Sequence, residues 1–224
     1  MKRSEIVNII KSLEGETGHQ KVLSVYNAQN PLPRGYRMTS QASWCAATVT
    51  AVFIMAGGCD FAECSCVKMI ENAKKLGIWQ ESDSYIPKPG DVIMYDWQDN
   101  GSGNNCGVAD HTGIVIKCDG QTIEVREGNK NNRLGNRTLK VNGRYIRGFI
   151  TPEFEEEYKM NTIQKGDQGK LVAIWQLIVG CHPDGIFEDN TKKATEIFQK
   201  NNGLTVDGIV GPKSWAKGLD SVND

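Results

Sequence analysis

Cys45 is the residue in this sequence best placed to act as a nucleophile. It follows Trp44 and opens a run, Cys45 to Ala56, that is apolar on nearly every side and ends at Gly57-Gly58. Such a run predicts a helix that is buried all round. The N-terminus of a helix offers free amides and a partial positive charge, and both favour a thiolate. Because many buried cysteines are only small core residues, position alone leaves a structural role open.

His111 is the best available base for this thiol. It opens the strand-like run Asp110-His111-Thr112-Gly113-Ile114-Val115, whereas His19 lies in a polar, loop-like segment and His182 lies far down the chain. An imidazole beside a thiol makes the nucleophile and base pair of covalent catalysis. A structural histidine is the alternative.

The next strand supplies a third polar group. In the run from Ile123 to Asn129, alternation puts Ile123, Val125, Glu127 and Asn129 on one side of the strand. The two apolar residues are expected to face the core, and the two polar residues end the row. A nucleophile on a helix N-terminus, a base on a strand and an orienting group on the next strand form a triad arrangement.

The elements that must position these residues are helices first and strands later. The first helix is predicted from apolar spacings of three and four at Ile6, Ile9, Ile10 and Leu13. A further helix is predicted from Val67 to Leu76. Short strands follow at residues 91–97, 111–117, 122–127, 138–141 and 145–150. Asn142-Gly143 predicts a two-residue hairpin between the last two strands. We expect residues 1–152 to form an α+β domain with helices packed on one face of an antiparallel sheet.

The chain changes character after the acidic run Glu153-Phe154-Glu155-Glu156-Glu157-Tyr158. Helical patterns return beyond it, at residues 171–179, 191–201 and 212–219. Two copies of an Asp-Gly-Ile turn stand between them, at residues 184–186 and 207–209. We therefore predict a linker at residues 153–160 and a small helical domain at residues 161–224.

Composition argues against two classes of protein. The hydrophobic fraction of 39% and the charged fraction of 24% are ordinary for a soluble domain, and no run approaches the roughly 18 apolar residues of a membrane span. A net charge of -1 gives little attraction for nucleic acid.

The N-terminal residues lack the apolar core of a secretory signal, so we expect cytoplasmic accumulation. An odd number of cysteines argues against a full disulfide framework and predicts a free thiol; they are residues 45, 59, 64, 66, 106, 118 and 181.

Residues 30–150 resemble the cysteine, histidine-dependent amidohydrolase/peptidase (CHAP) domains of bacterial and phage wall hydrolases. The resemblance rests on four fragments in order: Trp44-Cys45-Ala46-Ala47, Pro89-Gly90-Asp91-Val92-Ile93, Asp110-His111-Thr112-Gly113-Ile114-Val115 and Glu127-Gly128-Asn129. It implies a papain-like fold in which Cys45 attacks a scissile amide carbonyl and His111 transfers the proton. Glu127 would orient His111 with Asn129 in support, or these two roles would be exchanged.

The resemblance also implies groups around the reacting atoms. The Cys45 backbone amide and the Gln41 side chain would bind the oxyanion. A substrate groove would be lined by Trp44, Tyr95, Trp97 and Asp110, although an aromatic residue near a strand is more often a packing residue.

A metal is not expected to be required. Some members of the family bind calcium through an acidic loop, and residues 30–45 contain no acidic run of that kind. Cys59, Cys64 and Cys66 leave a zinc site as an alternative, but they lack the paired spacing and the second half of a usual structural site. We expect no cofactor.

Residues 161–220 resemble the small three-helix peptidoglycan-binding domain that ends many wall hydrolases. The matching fragments are Lys165-Gly166-Asp167, Trp175-Gln176, Asp184-Gly185-Ile186-Phe187, Phe198-Gln199 and the run from Gly203 to Pro212. Together the two resemblances imply a phage-type endolysin with bacterial peptidoglycan as its partner. It would cut either the bond between the sugar lactyl group and the first alanine or a bond of the stem peptide or cross-bridge. The alternatives are a non-catalytic wall-binding protein and a zinc amidase.

Overall fold

The protein is divided into two compact units. A computed structural model describes residues 1–82, 84–99, 107–155 and 160–221. The units are Met1–Glu156 and Glu157–Asp224. The division falls inside the predicted linker, of which residues 156–159 lie outside the described residues. Cys106 also lies outside them.

The first unit has four α-helices and six strands among its described residues. The helices are α1 (Arg3–Ser12), α2 (Gly15–Asn27), α3 (Cys45–Met55) and α4 (Cys66–Lys75). The strands are β1 (Trp79–Gln80), β2 (Val92–Tyr95), β3 (His111–Cys118), β4 (Thr122–Lys130), β5 (Arg133–Lys140) and β6 (Ile146–Ile150). They form one antiparallel sheet in the order β1-β6-β2-β3-β4-β5. This confirms the predicted α+β class with helices packed on a sheet.

The prediction of a hairpin at Asn142-Gly143 is wrong. β5 pairs with β4, whereas β6 pairs with β2 and β1 on the other side of the sheet. Asn142 does take a positive φ of 52°, so the chain turns there, but the turn leads out of β5 instead of folding back onto it. The apolar strand β6 is buried between β1 and β2, and that burial outweighs the local turn preference. The two-residue turn of this region is Asn131-Asn132, which joins β4 to β5 with φ values of 52° and 59°.

The sheet separates two apolar clusters, and the helices cover one of them. Along β2, Val92 and Met94 belong to the cluster that includes α3, and Ile93 and Tyr95 belong to the other. This is the alternation expected of a strand that is buried on both faces. α3 is buried along most of its length, as its apolar sequence predicts, and it packs on β3 and β4.

The second unit confirms the predicted three-helix domain. Its helices are α5 (Lys170–Ile178), α6 (Asp189–Asn201) and α7 (Pro212–Asp220). Trp175 lies at the centre of their core, where its ring makes edge contacts with Phe198 at 5.1 Å and with Trp215 at 5.2 Å between centroids. The indole N–H of Trp175 is satisfied by the Thr195 hydroxyl at 2.8 Å.

Each copy of the Asp-Gly-Ile turn is hydrogen-bonded to a buried glutamine, Gln176 or Gln199. We call this arrangement a glutamine knot. The Gln176 amide nitrogen donates to Asp184 Oδ1 at 2.7 Å and to the Ile186 carbonyl at 3.0 Å, and its oxygen accepts the Gly185 N–H at 2.9 Å. Each of these groups has a counterpart 23 residues later: Gln199 bonds Asp207 at 2.8 Å, the Ile209 carbonyl at 2.9 Å and the Gly208 N–H at 2.9 Å. The second unit is therefore built from two copies of one turn.

Candidate active site

Cys45 is the first residue of α3, where the sequence places it. Its side chain is 5% exposed, and its sulfur lies 3.8 Å from the sulfur of Cys66 at the start of α4. It also interacts with the imidazole of His111 and with the backbone N–H of Ala46 in the first turn of its own helix. The structure therefore brings the predicted nucleophile and base together.

His111 is joined to a carboxylate on its other side. Its Nε2 lies 3.2 Å from Glu127 Oε2, and the Glu127 side chain is fully buried on β4. Arg137, on β5, holds the same carboxylate with two bonds, Nε to Oε1 at 2.6 Å and Nη2 to Oε2 at 3.0 Å. Such two-pronged pairing fixes the carboxylate plane as well as its position. The four side chains form a row that runs from Cys45 through His111 and Glu127 to Arg137.

The charges of this row support one another. The pKa of Cys45 is held well below its usual value, chiefly by the hydrogen bond with Cys66 and against the effect of burial, with further lowering by His111. Burial lowers the pKa of His111, but the interactions with Cys45 and Glu127 outweigh it and raise that pKa to about 9. Burial likewise opposes ionisation of Glu127, but His111 and Arg137 together lower its pKa. The lowered pKa of Cys45 and the raised pKa of His111 both favour a thiolate paired with an imidazolium.

Two of the residues expected to line a substrate groove do not do so. Trp44 and Tyr95 are both 0% exposed, so they have no surface to offer to a substrate. Trp44 is a packing residue instead: its ring stacks on His19 at 4.1 Å and its indole nitrogen reaches Asn132 of the β4–β5 turn at 3.4 Å. Tyr95 stacks under Trp97 at 4.8 Å.

The other expected groove residues lie at the surface near the row. Trp97 is partly exposed and lies beneath the Arg137 guanidinium, 4.7 Å from the ring centroid. Asp110 is exposed, accepts a hydrogen bond from the Trp97 backbone N–H at 3.0 Å, and acts on Cys66 through its charge. Trp97 forms one wall of a hollow of 280 Å³ over His111, together with Asn129, Lys130, Asn131 and Arg137.

Asn129 and Gln41 lie outside the hydrogen-bonded row. Asn129 leaves the strand alternation because its φ is 57°, and it lines the hollow beside His111. Among the described contacts the ring nitrogen partner of His111 is Glu127, not Asn129. Gln41 is exposed four residues before Cys45, and no side-chain hydrogen bond of it is among those described. Its oxyanion role stays a prediction.

Three residues of the site were missed at the level of sequence. Arg137 was not singled out, although the Asn131-Asn132 turn puts β5 against β4 and so brings Arg137 diagonally across from Glu127. For Cys66 the sequence suggests only a zinc-ligand role. His19 was placed in a loop, but it lies in α2 and is buried against Trp44. The apolar spacing of Val22 and Tyr26 in that helix was the available signal.

The three clustered cysteines do not converge on one point in the described residues. Within residues 1–82, 84–99, 107–155 and 160–221, no group of three or more His, Cys, Asp or Glu side chains could hold a metal ion. Cys64 accepts a hydrogen bond from Arg34 at 3.1 Å, and Cys66 faces Cys45. The cysteines that the structure describes are all free thiols.

The fold and the site define the class of protein: a papain-like α+β domain with a cysteine, histidine and glutamate row, followed by a small helical domain. A family model of the CHAP domain matches residues 35–129, and a family model described as a putative peptidoglycan binding domain matches residues 172–217. The chain therefore contains a CHAP domain followed by a peptidoglycan-binding domain. It is a peptidoglycan hydrolase or a peptidoglycan-binding protein, and peptidoglycan is its partner.

Two solved structures are similar to parts of the chain. The N-terminal domain of SleB is 30% identical over 27% of this chain and 92% of its own, with a TM-score of 0.27. A peptidoglycan-binding protein from Clostridioides difficile, solved in complex with glutamine hydroxamate, is 24% identical over 69% of this chain and 87% of its own, with a TM-score of 0.26. Both TM-scores are too low to define the arrangement of the whole chain.

Among the described residues, no helix combines the length and the apolar character that crossing a membrane requires.

Proposed function

We propose that the protein is a cysteine peptidoglycan hydrolase in which Cys45 is the nucleophile, His111 the acid and base, and Glu127 the group that orients His111. The observation that carries this proposal is the continuous row of Cys45, His111, Glu127 and Arg137 at the N-terminus of a buried helix. A structural histidine would need only one partner, whereas this imidazole lies between a thiol and a fixed carboxylate.

In the first half of the reaction the Cys45 thiolate attacks the carbonyl carbon of an amide. The resulting oxyanion faces the backbone N–H groups at the start of α3, where the helix dipole favours negative charge. Imidazolium His111 then gives its proton to the leaving amine as the C–N bond breaks. The products of this step are a free amine and a thioester on Cys45.

In the second half a water molecule replaces the amine. Neutral His111 takes a proton from this water, and the hydroxide attacks the thioester carbonyl. The C–S bond breaks and releases a carboxylic acid, which loses its proton to solvent, and Cys45 returns to its thiolate form beside imidazolium His111. Glu127 stabilises the imidazolium at each stage, and Arg137 keeps Glu127 ionised and in place.

We place the peptide of the substrate in the hollow over His111. Its walls carry Trp97, Lys130 and Arg137 together with the amides of Asn129 and Asn131. An aromatic wall with several hydrogen-bond donors suits an extended peptide that carries carbonyl and carboxylate groups. The second unit would hold the polymer, because its family is one of peptidoglycan binding.

Digestion of purified cell walls tests this proposal. The fragments released by the wild type are identified by mass spectrometry, and their new termini distinguish a muramoyl-alanine amidase from a stem or cross-bridge endopeptidase. We expect wild-type fragments that are absent with His111→Ala and that are indifferent to a chelator. Fragments that disappear with chelator and return with zinc would overturn the proposal in favour of a zinc amidase. Binding without any fragments, over walls of several chemotypes, would favour the non-catalytic wall-binding protein.

We also propose that the protein serves as an endolysin that accumulates in the cytoplasm and reaches the wall at phage or prophage lysis. The free thiols of the described cysteines suit a reducing compartment, and the pairing of the two domains suits attack on the wall. Expression in a host with and without a membrane pore-forming protein tests this. We expect lysis only with the pore, and lysis without it would contradict the proposal.

A further inference from the structure

A second thiol lies against the proposed nucleophile. The sulfur of Cys66, on the first residue of α4, is 3.8 Å from the sulfur of Cys45, within hydrogen-bond range for two sulfur atoms. Cys66 is 7% exposed and Cys45 is 5% exposed. Water has little access to either thiol, so the state of each depends strongly on the other.

The surroundings of the two sulfurs decide which of them carries the charge. Two thiolates in contact in a buried site repel each other, so only one ionises. Cys45 faces the imidazole of His111 and the N–H of Ala46, and both favour its anion. The pKa of Cys66 is raised well above its usual value by the hydrogen bond with Cys45, by burial and by the nearby Asp110 carboxylate. The proton therefore stays on Cys66.

We infer that Cys66 is a positioning residue for Cys45: its S–H donates a hydrogen bond to the Cys45 sulfur and holds that sulfur as a thiolate next to His111. This inference rests on the proposed function, in which Cys45 is the nucleophile. The bond weakens when Cys45 attacks, since the charge then leaves the sulfur. Cys66 consequently sets the fraction of Cys45 that is ionised at low pH, and it does not take part in proton transfer to the substrate.

The test is the pH dependence of Cys45 alkylation by iodoacetamide in the full chain, located by peptide mass mapping. The protein is reduced first and then freed of reductant without air. Removing a hydrogen bond to a charged group should move the acid limb of Cys66→Ala upward by about one pH unit. In Cys66→Ser the hydroxyl is a stronger donor than a thiol and should move the limb below the wild-type position. The acid limb of wall hydrolysis should move in the same directions.

Cys118→Ala is the matched control, because Cys118 ends β3, the strand that His111 begins, and packs in the other apolar cluster. It should leave the limb unmoved. The inference is overturned if Cys66→Ala leaves the limb in place, or if the Ala and Ser variants move it equally, which would indicate a space-filling role. If Cys66→Ala fails to fold, an unmoved limb in Cys66→Ser overturns it. Alkylation reads the thiol and not hydrolysis, so a shifted limb in a protein that cuts no wall would reject the proposed function alone.

Discussion

The Glu127 carboxylate holds two cations of different kinds. One is the permanent guanidinium of Arg137, and the other is the imidazolium of His111, whose charge depends on pH. Because Glu127 is fully buried, neither interaction is screened by water as a surface pair would be. At the scale of the residue, the proposed mechanism requires this carboxylate to remain ionised and fixed.

Replacing Glu127 by glutamine should therefore disable His111 without removing it. We expect the rate of wall hydrolysis in Glu127→Gln to fall by about 10²- to 10⁴-fold, the range that a positioned acid or base contributes. Initial rates of amine release measure this. Glu124→Gln is the control on the same strand, since Glu124 is partly exposed and pairs with Lys117 at the surface. A comparable loss in both variants would contradict a specific role for Glu127.

The pH profile of hydrolysis should be bell-shaped. The active pair needs Cys45 ionised, and its pKa lies well below the usual value, so the rate rises early on the acid side. It also needs His111 protonated, and its pKa is raised to about 9, so the rate falls as the pH rises through that value. Initial rates at constant ionic strength check both limbs. A profile in which the rate on the alkaline side has already fallen to half near about pH 6.5, the ordinary pKa of histidine, would contradict the ion pair.

At the scale of the element, the site depends on how closely α3 lies on the sheet. A Cβ atom at Gly128 would come within 1.9 Å of Thr48 Oγ1 on α3 and 2.8 Å of the Trp44 ring. Gly128 follows Glu127 on β4, and the absence of a side chain at this position allows α3 to lie close to the strand.

Gly128→Ala should accordingly destabilise the first unit, by about 1–3 kcal/mol for an overpacked contact. Urea unfolding measures the free energy. Gly135→Ala on the neighbouring strand is the control, because the nearest atom to its Cβ is Lys130 Cδ at 3.1 Å, part of a flexible side chain. Equal losses in the two variants would show that the contact with α3 is not the cause.

Many of the helices and strands that position the site can be predicted from the sequence. The contacts that could not be predicted have physical reasons. The helix at Cys45 and the strand at His111 were predicted because their apolar runs are strong local signals. The sequence left the partner of His111 open, since alternation puts Glu127 and Asn129 on one side and does not reveal the positive φ of Asn129. The contact of Cys66 with Cys45 joins residues 21 apart through tertiary packing, which no local pattern encodes.

At the scale of the whole molecule, the proposed cleavage site and the peptidoglycan-binding domain lie in separate units. In the second unit, a single substitution at Gln199 removes several buried hydrogen bonds at once. In Gln199→Leu the Gly208 N–H and the Ile209 carbonyl lose their buried partner, at a cost of about 1–3 kcal/mol for each group. We expect loss of wall binding in a co-sedimentation assay, with cleavage of small soluble peptidoglycan fragments retained.

The duplicated glutamine knot supplies an internal comparison for this prediction. Gln176→Leu removes the equivalent bonds from the first copy of the turn and should have the same effect. Gln168→Leu changes an exposed glutamine of the same unit and should bind walls like the wild type. Loss of soluble-fragment cleavage together with wall binding would show that the two units do not act separately.

Cys45 is the proposed nucleophile of a peptidoglycan amide hydrolase, and this claim is tested by the release of new amino groups from purified walls. The wild type, Cys45→Ala and Cys118→Ala are compared, each first shown to be folded. Release by the wild type and Cys118→Ala, with none from Cys45→Ala, is the predicted result. Undiminished release by Cys45→Ala would contradict the claim.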